Sequence, residues 1–278
     1  MFCHCLPKLI CLFLLSFISL NAQTVGASMA LEGRAAVARA AVFLVSHQND
    51  NGSWLDNPPL TSLSAQALLA ANSYLDSDDI AIPSSKALAY VRISPTESDW
   101  HEAIRIRLLL ETSSHTDRNT LSKALSLLLE RPLPPNHAAV WHADALAICS
   151  RRVRPNTPVE NALTQLATLT PTSHAEQLAL AIATGVHTET SLKTLYASAR
   201  SANCYQASIS DLYWAARAFQ ACNAANAFPY DNWKADIIAA LLDRQRGDGS
   251  WSAKDQPEPT ILQNTALAIQ TIIICLGE

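Results

Sequence analysis

The sequence predicts an all-α chain of twelve helices, paired into six hairpins and closed into an α6/α6 toroid. Three observations predict it. Apolar residues recur at helical rather than alternating spacing almost throughout the chain, the signature of amphipathic helices and not of strands. Clusters of Pro, Asn, Asp and Ser break this pattern into twelve segments. One heptapeptide, Gln-x-x-x-Gly-x-Trp, occurs twice, as Gln48 to Trp54 and as Gln245 to Trp251. The copies lie 197 residues apart, five steps of about 39, a helical-pair period. They fall on the first and sixth hairpins, which become neighbours only if the ring closes; an open solenoid would hold them apart.

In chain order, the expected helices run from Leu31 to Gln48, Thr61 to Tyr74, Pro83 to Arg92 and Asp99 to Thr112. The next four are Arg118 to Glu130, Asn136 to Ser150, Pro158 to Leu169 and Ser173 to Thr184. The last four are Thr188 to Arg200, Ser208 to Ala224, Trp233 to Gln245 and Thr260 to Leu276. The second helix of each pair is the more apolar and belongs inside, since a helix apolar on most sides is a buried one. Arg34, Arg39, Lys86, Arg118, Lys123, Glu130, Lys193 and Arg200 lie on the first helices, which go outside.

The chain is 49% apolar and only 16% charged, too apolar for disorder and able to bury a large core. A net charge of -4 with no basic stripe excludes a nucleic-acid partner. Residues 1–27 read as a secretory signal: Lys8 precedes an apolar run from Leu9 to Leu20, and Ala22, Ala27 and Ala30 supply small residues for cleavage. The run is too short for a comfortable membrane span. The mature chain, residues 28–278, is expected as a single exported domain, periplasmic or secreted, with no stable membrane insertion once the signal is removed. Four cysteines remain in it, Cys149, Cys204, Cys222 and Cys275, with no CxxC unit. Cys149, Cys222 and Cys275 fall at inner-helix ends; Cys222 and Cys275, on adjacent helices, are the one pair placed to bridge, and Cys204 is expected a helix length away.

In each heptapeptide a glycine (Gly52, Gly249) supplies the positive φ that ends a helix. Gln48 and Gln245 carry amides suited to open backbone groups, and Trp54 and Trp251 can lid the turn. This pattern resembles the QW motif of squalene and oxidosqualene cyclases and, more loosely, the repeats of protein prenyltransferase β-subunits. The resemblance implies an α/α toroid in which the motif joins an outer helix to the next inner one; it carries a fold further than an activity. Asp76-Ser77-Asp78-Asp79 matches the Asp-x-Asp-Asp acid motif of class II terpene cyclases, but it follows a helix end and reads as a solvated turn. The prenyltransferase zinc triad has no counterpart, and an export signal would part the protein from a diphosphate donor.

Polar and aromatic residues gather where the inner helices begin. Thr61, Asp99, Asn136 and Ser173 need be no more than caps. An acid/base site of a lyase or hydrolase would draw on His101, Glu102, His142, Asp144, His174 and Asp211, with Glu176 as a further carboxylate. No cofactor is required; if zinc is held, His101, His137 and His174 are the imidazoles for it. Trp100, His137, Trp141, Tyr213, Trp214 and Gln263 would line a central cavity for a small apolar or ring-shaped ligand, or a protein partner. The leading expectation is a binding toroid; an enzyme of the same fold, or a purely structural module, stand as alternatives.

Overall fold

The structure is a computed structural model that describes residues 25–75, 77–94, 99–112, 118–130, 132, 134–152, 157–224, 232–253 and 255–277. The apolar run from Leu9 to Leu20 lies outside the described residues. Among the described residues there are twelve α-helices and no strand. They are α1 (Ala27–Ser46), α2 (Pro58–Leu75), α3 (Asp78–Ile93), α4 (Asp99–Glu111), α5 (Arg118–Glu130) and α6 (Asn136–Arg152). The second half holds α7 (Thr157–Leu166), α8 (His174–Thr184), α9 (Glu189–Ser201), α10 (Ile209–Ala224), α11 (Trp233–Arg244) and α12 (Glu258–Leu276).

Several helices start earlier than the breaks indicate, and proline explains most of the difference. Pro58, Pro59 and Pro259 sit in first turns, where a missing N–H costs nothing because no carbonyl awaits it. The sequence starts α3 at Pro83, yet the helix begins at Asp78 with Pro83 inside it. Asp78 and Asp79 form the first turn, where their charge complements the helix dipole. The acidic string is therefore part helix start: Ser77 is the N-cap, both aspartates are exposed, and Asp76 lies outside the described residues. Among the expected caps, Ser173 occupies the N-cap of α8 without a side-chain bond, and the capping box is instead Thr188 with Ser191 at the start of α9.

The even-numbered helices pack on one another in sequence, α2 on α4, α4 on α6, and so on to α12, which packs on α2. The odd-numbered helices lie against them, and α1 touches both α11 and α12. The core follows from composition. Small residues such as Ala65, Ala67, Ala103, Ala139, Ala143, Ala216, Ala266 and Ala268 are fully or almost fully buried and let these backbones approach closely. Arg34, Arg39, Lys86, Lys123, Glu130 and Lys193 of the odd helices are exposed. Helix α12 is long and apolar enough to cross a membrane, but most of it is buried against α1, α2, α10 and α11.

The two heptapeptides fold alike. Gln48 Nε2 donates to the Gly52 carbonyl and across to Pro83 O of α3, at 2.9 and 3.0 Å. Gln245 Nε2 donates to Gly249 O and across to Ala36 O of α1, at 3.0 and 2.9 Å, and Arg39 bonds its carbonyl oxygen. Gly52 and Gly249 have φ of +89° and +91°, and a Cβ there would fall 2.5 Å from Lys86 O and 2.6 Å from Arg39 O. Trp54 and Trp251, both buried, donate their indole N–H to Leu44 O and Leu241 O. Each motif thus ends an odd helix and fastens the turn to the next odd helix in line. For the second motif, that next helix is α1.

All four described cysteines are free thiols, so the Cys222–Cys275 bridge does not form. Burial pushes the Cys222 thiol up to about 11 and the Cys275 thiol further still, with Lys234 opposing and Cys204 reinforcing it.

Candidate functional site

Four side chains from three even helices meet in the interior. Arg107 of α4 donates to the Tyr213 hydroxyl of α10 and lies 3.5 Å from Asp144 of α6. Arg217, one turn beyond Tyr213, donates to the other Asp144 oxygen at 2.6 Å. Burial opposes the Arg107 charge, but Tyr213, Asp144 and Glu111 more than offset it, so the guanidinium titrates above its ordinary value. Both guanidinium carbons lie over the Tyr213 ring, at 5.5 and 5.9 Å, within cation–π range. Trp141 stacks on Tyr213 at 5.7 Å, and Trp214 meets both edge-on at 4.7 and 5.0 Å.

This cluster decides the fate of three residues expected to line an open cavity. Trp141, Tyr213 and Trp214 are buried against one another; they fill space between α6 and α10. His142 is buried beside its own helix, its Nδ1 3.4 Å from Ala138 O. Glu102 is buried in an ion pair with Arg105 at 3.0 Å, and Arg105 also donates to Val91 O and Arg92 O at the end of α3. Gln263 and His101 are half-buried, and the side chains of Trp100 and His137 lie outside the described residues. Among the described residues no group of three His, Cys, Asp or Glu side chains is set to hold a metal. His174 is exposed on α8 and shares no such group with His101.

Comparison with protein-family models, with curated proteins and with solved structures gives no match.

Two open cavities flank the loop from Ala202 to Ser208. The first, about 320 Å3, lies between α8, α10 and α11. Leu212, Ala215, Phe219, Trp233 and Ile237 give it an apolar floor, and His174, Arg200 and Asp211 stand among its polar lining. Arg200 pairs with Asp236 of α11. Ser208 donates to Asp211 at 2.7 Å and caps its backbone N–H at 3.0 Å, which fixes the carboxylate. On the adjoining α8, Glu176 is half-buried, and burial together with the Asp211 charge lifts its pKa from 4.5 to about 7. So of the expected acid/base residues, His174 and Asp211 share one cavity with Glu176 close by, whereas Glu102, His142 and Asp144 sit elsewhere. The second cavity, about 470 Å3, lies beside the second heptapeptide; its lining includes the motif Trp251 but none of the residues expected to be catalytic, ligand-binding or metal-binding.

The sequence carries a further signal for the inner scaffold. The stretch Thr61-Ser-Leu-Ser-Ala-Gln66 recurs as Thr265-Ala-Leu-Ala-Ile-Gln270. Thr61 and Thr265 both accept the backbone N–H of the motif Trp, at 3.0 and 3.2 Å. Gln66 donates to Ile104 O on α4, and Gln270 to Leu63 O on α2. Arg107, Arg217 and Arg244 have no local pattern of this kind, because their partners lie on distant segments.

Proposed function

We propose that this chain is a closed α/α toroid of six hairpins, of the squalene-cyclase and prenyltransferase type. In this reading it binds a small, largely apolar ligand in the cavity between α8, α10 and α11. The observation that carries the binding site is the cavity itself: an apolar floor of Leu212, Ala215, Phe219, Trp233 and Ile237 with three convergent polar groups, the composition of small-molecule sites. The ring is supported by the cyclic order in which the even helices pack and by the second motif gripping α1. The terpene-cyclase chemistry is not part of the proposal, since Asp78 and Asp79 are exposed at a helix start. The apolar segment from Leu9 to Leu20 supports export, which places the ligand in the periplasm or outside the cell.

Ligand-observed NMR with a library of small aromatic and alicyclic fragments tests the site. Saturable hits are expected in the native chain, with loss in Ala215→Leu, which fills the floor, and in Ala202→Trp, which blocks the rim. Hits that persist in both variants, or none at all, would overturn it.

A second reading, acid/base catalysis, rests on Glu176. A carboxyl kept protonated near neutral pH beside a carboxylate is the arrangement of a general acid and its partner. A Glu176→Gln variant that binds the fragments unchanged but loses turnover of a candidate substrate favours the enzyme; unchanged turnover removes this reading.

A further inference from the structure

We propose that the second cavity is an anion-binding site, taking the carboxylate, sulfate or phosphate group of a small polar ligand. It lies between the start of α10, the end of α11, the second heptapeptide and the start of α12. None of its lining side chains is acidic: Arg244 stands there with Ser252, Gln256, Thr260 and Asn264. The site draws on no part of the apolar cavity described above, on the other side of the Ala202–Ser208 loop.

Arg244 carries the inference. Its guanidinium makes one hydrogen bond, to Ala207 O at 2.8 Å, and no carboxylate pairs with it among the described residues. It is partly buried, and burial alone pulls its pKa down, with no opposing charge acting on it. A guanidinium taken from water without a counter-charge is an unbalanced cost, and arginine's fork of donors suits a planar or tetrahedral oxyanion. A bound anion would return what burial removes.

The neighbours are also donors. The Thr260 hydroxyl and the Gln256 amide N–H2 are engaged by no hydrogen bond within the described chain, and Ser252 accepts from Arg246 at 2.9 Å, leaving its own hydrogen to give. Arg246 thereby adds a second cation at the edge. Asp211, bonded to Ser208, faces the other cavity, and Asp248 of the heptapeptide, which interacts with Arg246, is held by the Ser250 hydroxyl and N–H. With about 470 Å3 available, the space exceeds a bare ion. An anionic group on a hydroxylated body, such as an acidic sugar, fits both the size and the donor set.

Titration followed by arginine side-chain NMR, with sulfate, phosphate and glucuronate as probes, tests it. At least one probe is expected to bind saturably and shift the Arg244 resonance. Affinity is expected to fall at least tenfold in Arg244→Gln, and by less in Arg246→Gln. Tighter binding of glucuronate than of both inorganic ions would mark a sugar acid; the reverse order would mark a bare oxyanion group. Should Arg244→Gln fail to fold, a Gln256→Ala, Thr260→Ala double variant decides by a threefold or greater loss. No saturable binding of any probe, or binding indifferent to these substitutions, would overturn the site whatever becomes of the apolar cavity.

Discussion

Gly249 shows how much a single atom can carry. Its positive φ and the 2.6 Å approach of Arg39 O leave no room for a methyl group, and neither strain can relax without moving α1. Gly249→Ala is expected to cost at least about 2 kcal/mol in chemical denaturation, the sum of a left-handed penalty and a clash. Gly247, two residues earlier with nothing within 4 Å, should accept Ala within about 0.5 kcal/mol. Glu176 offers the converse test, through pH. Its folded pKa, about 7, lies above the ordinary 4.5, so the folded state binds the extra proton between those values. Stability is then fully present below pH 4.5, falls as pH rises toward 7, and is level above. Allowing for its partial exposure, the loss should be about 1–2 kcal/mol, and Glu176→Gln should remove it. A melting profile between pH 4 and 8 that is equally steep in both proteins would contradict this assignment.

Among the elements, the three-helix charge cluster is the most exposed to mutation. Asp144 accepts from Arg217 and lies 3.5 Å from a second guanidinium, that of the almost wholly buried Arg107. Asp144→Asn is expected to destabilise the fold by about 3 kcal/mol or more, because it leaves the buried Arg107 and the partly buried Arg217 without their shared counter-charge. Replacing the set together, as Arg107→Met, Asp144→Leu and Arg217→Met, should cost less than the single change. The helices themselves were legible in the sequence: the twelve segments, the inward even members and the two punctuating motifs follow from periodicity and from Gly and Trp placement. The helix starts were less so, since Pro58, Pro83 and Pro259 read as breaks yet sit inside helices. The site was the least legible. Trp141, Tyr213 and Trp214 at inner-helix positions can line a space or fill it, and which one holds depends on how closely Ala-rich backbones approach. Arg107 finds Tyr213 106 residues away, a separation no local pattern reports. Arg244 gave no signal because what defines it is a missing partner.

For the whole molecule, the proposed ring depends on how the first and last hairpins meet. Helix α1 receives the second motif through Ala36 and Arg39, and its Gly33 packs on α12, where a Cβ would meet Ile272 at 3.3 Å. The first motif makes the equivalent contacts one helix pair further on, at Pro83 and Lys86 of α3. One repeated turn therefore serves both as an ordinary joint and as the clasp between the two ends of the chain. The most direct measurement is a cross-link across that clasp. In an Arg39→Cys, Gly247→Cys variant with Cys204→Ser, a short bismaleimide should join the α1 peptide to the second-motif peptide within a monomer. Recovery of single adducts and intermolecular dimers alone, with no such intramolecular peptide pair, would mean that the ends of the chain do not meet.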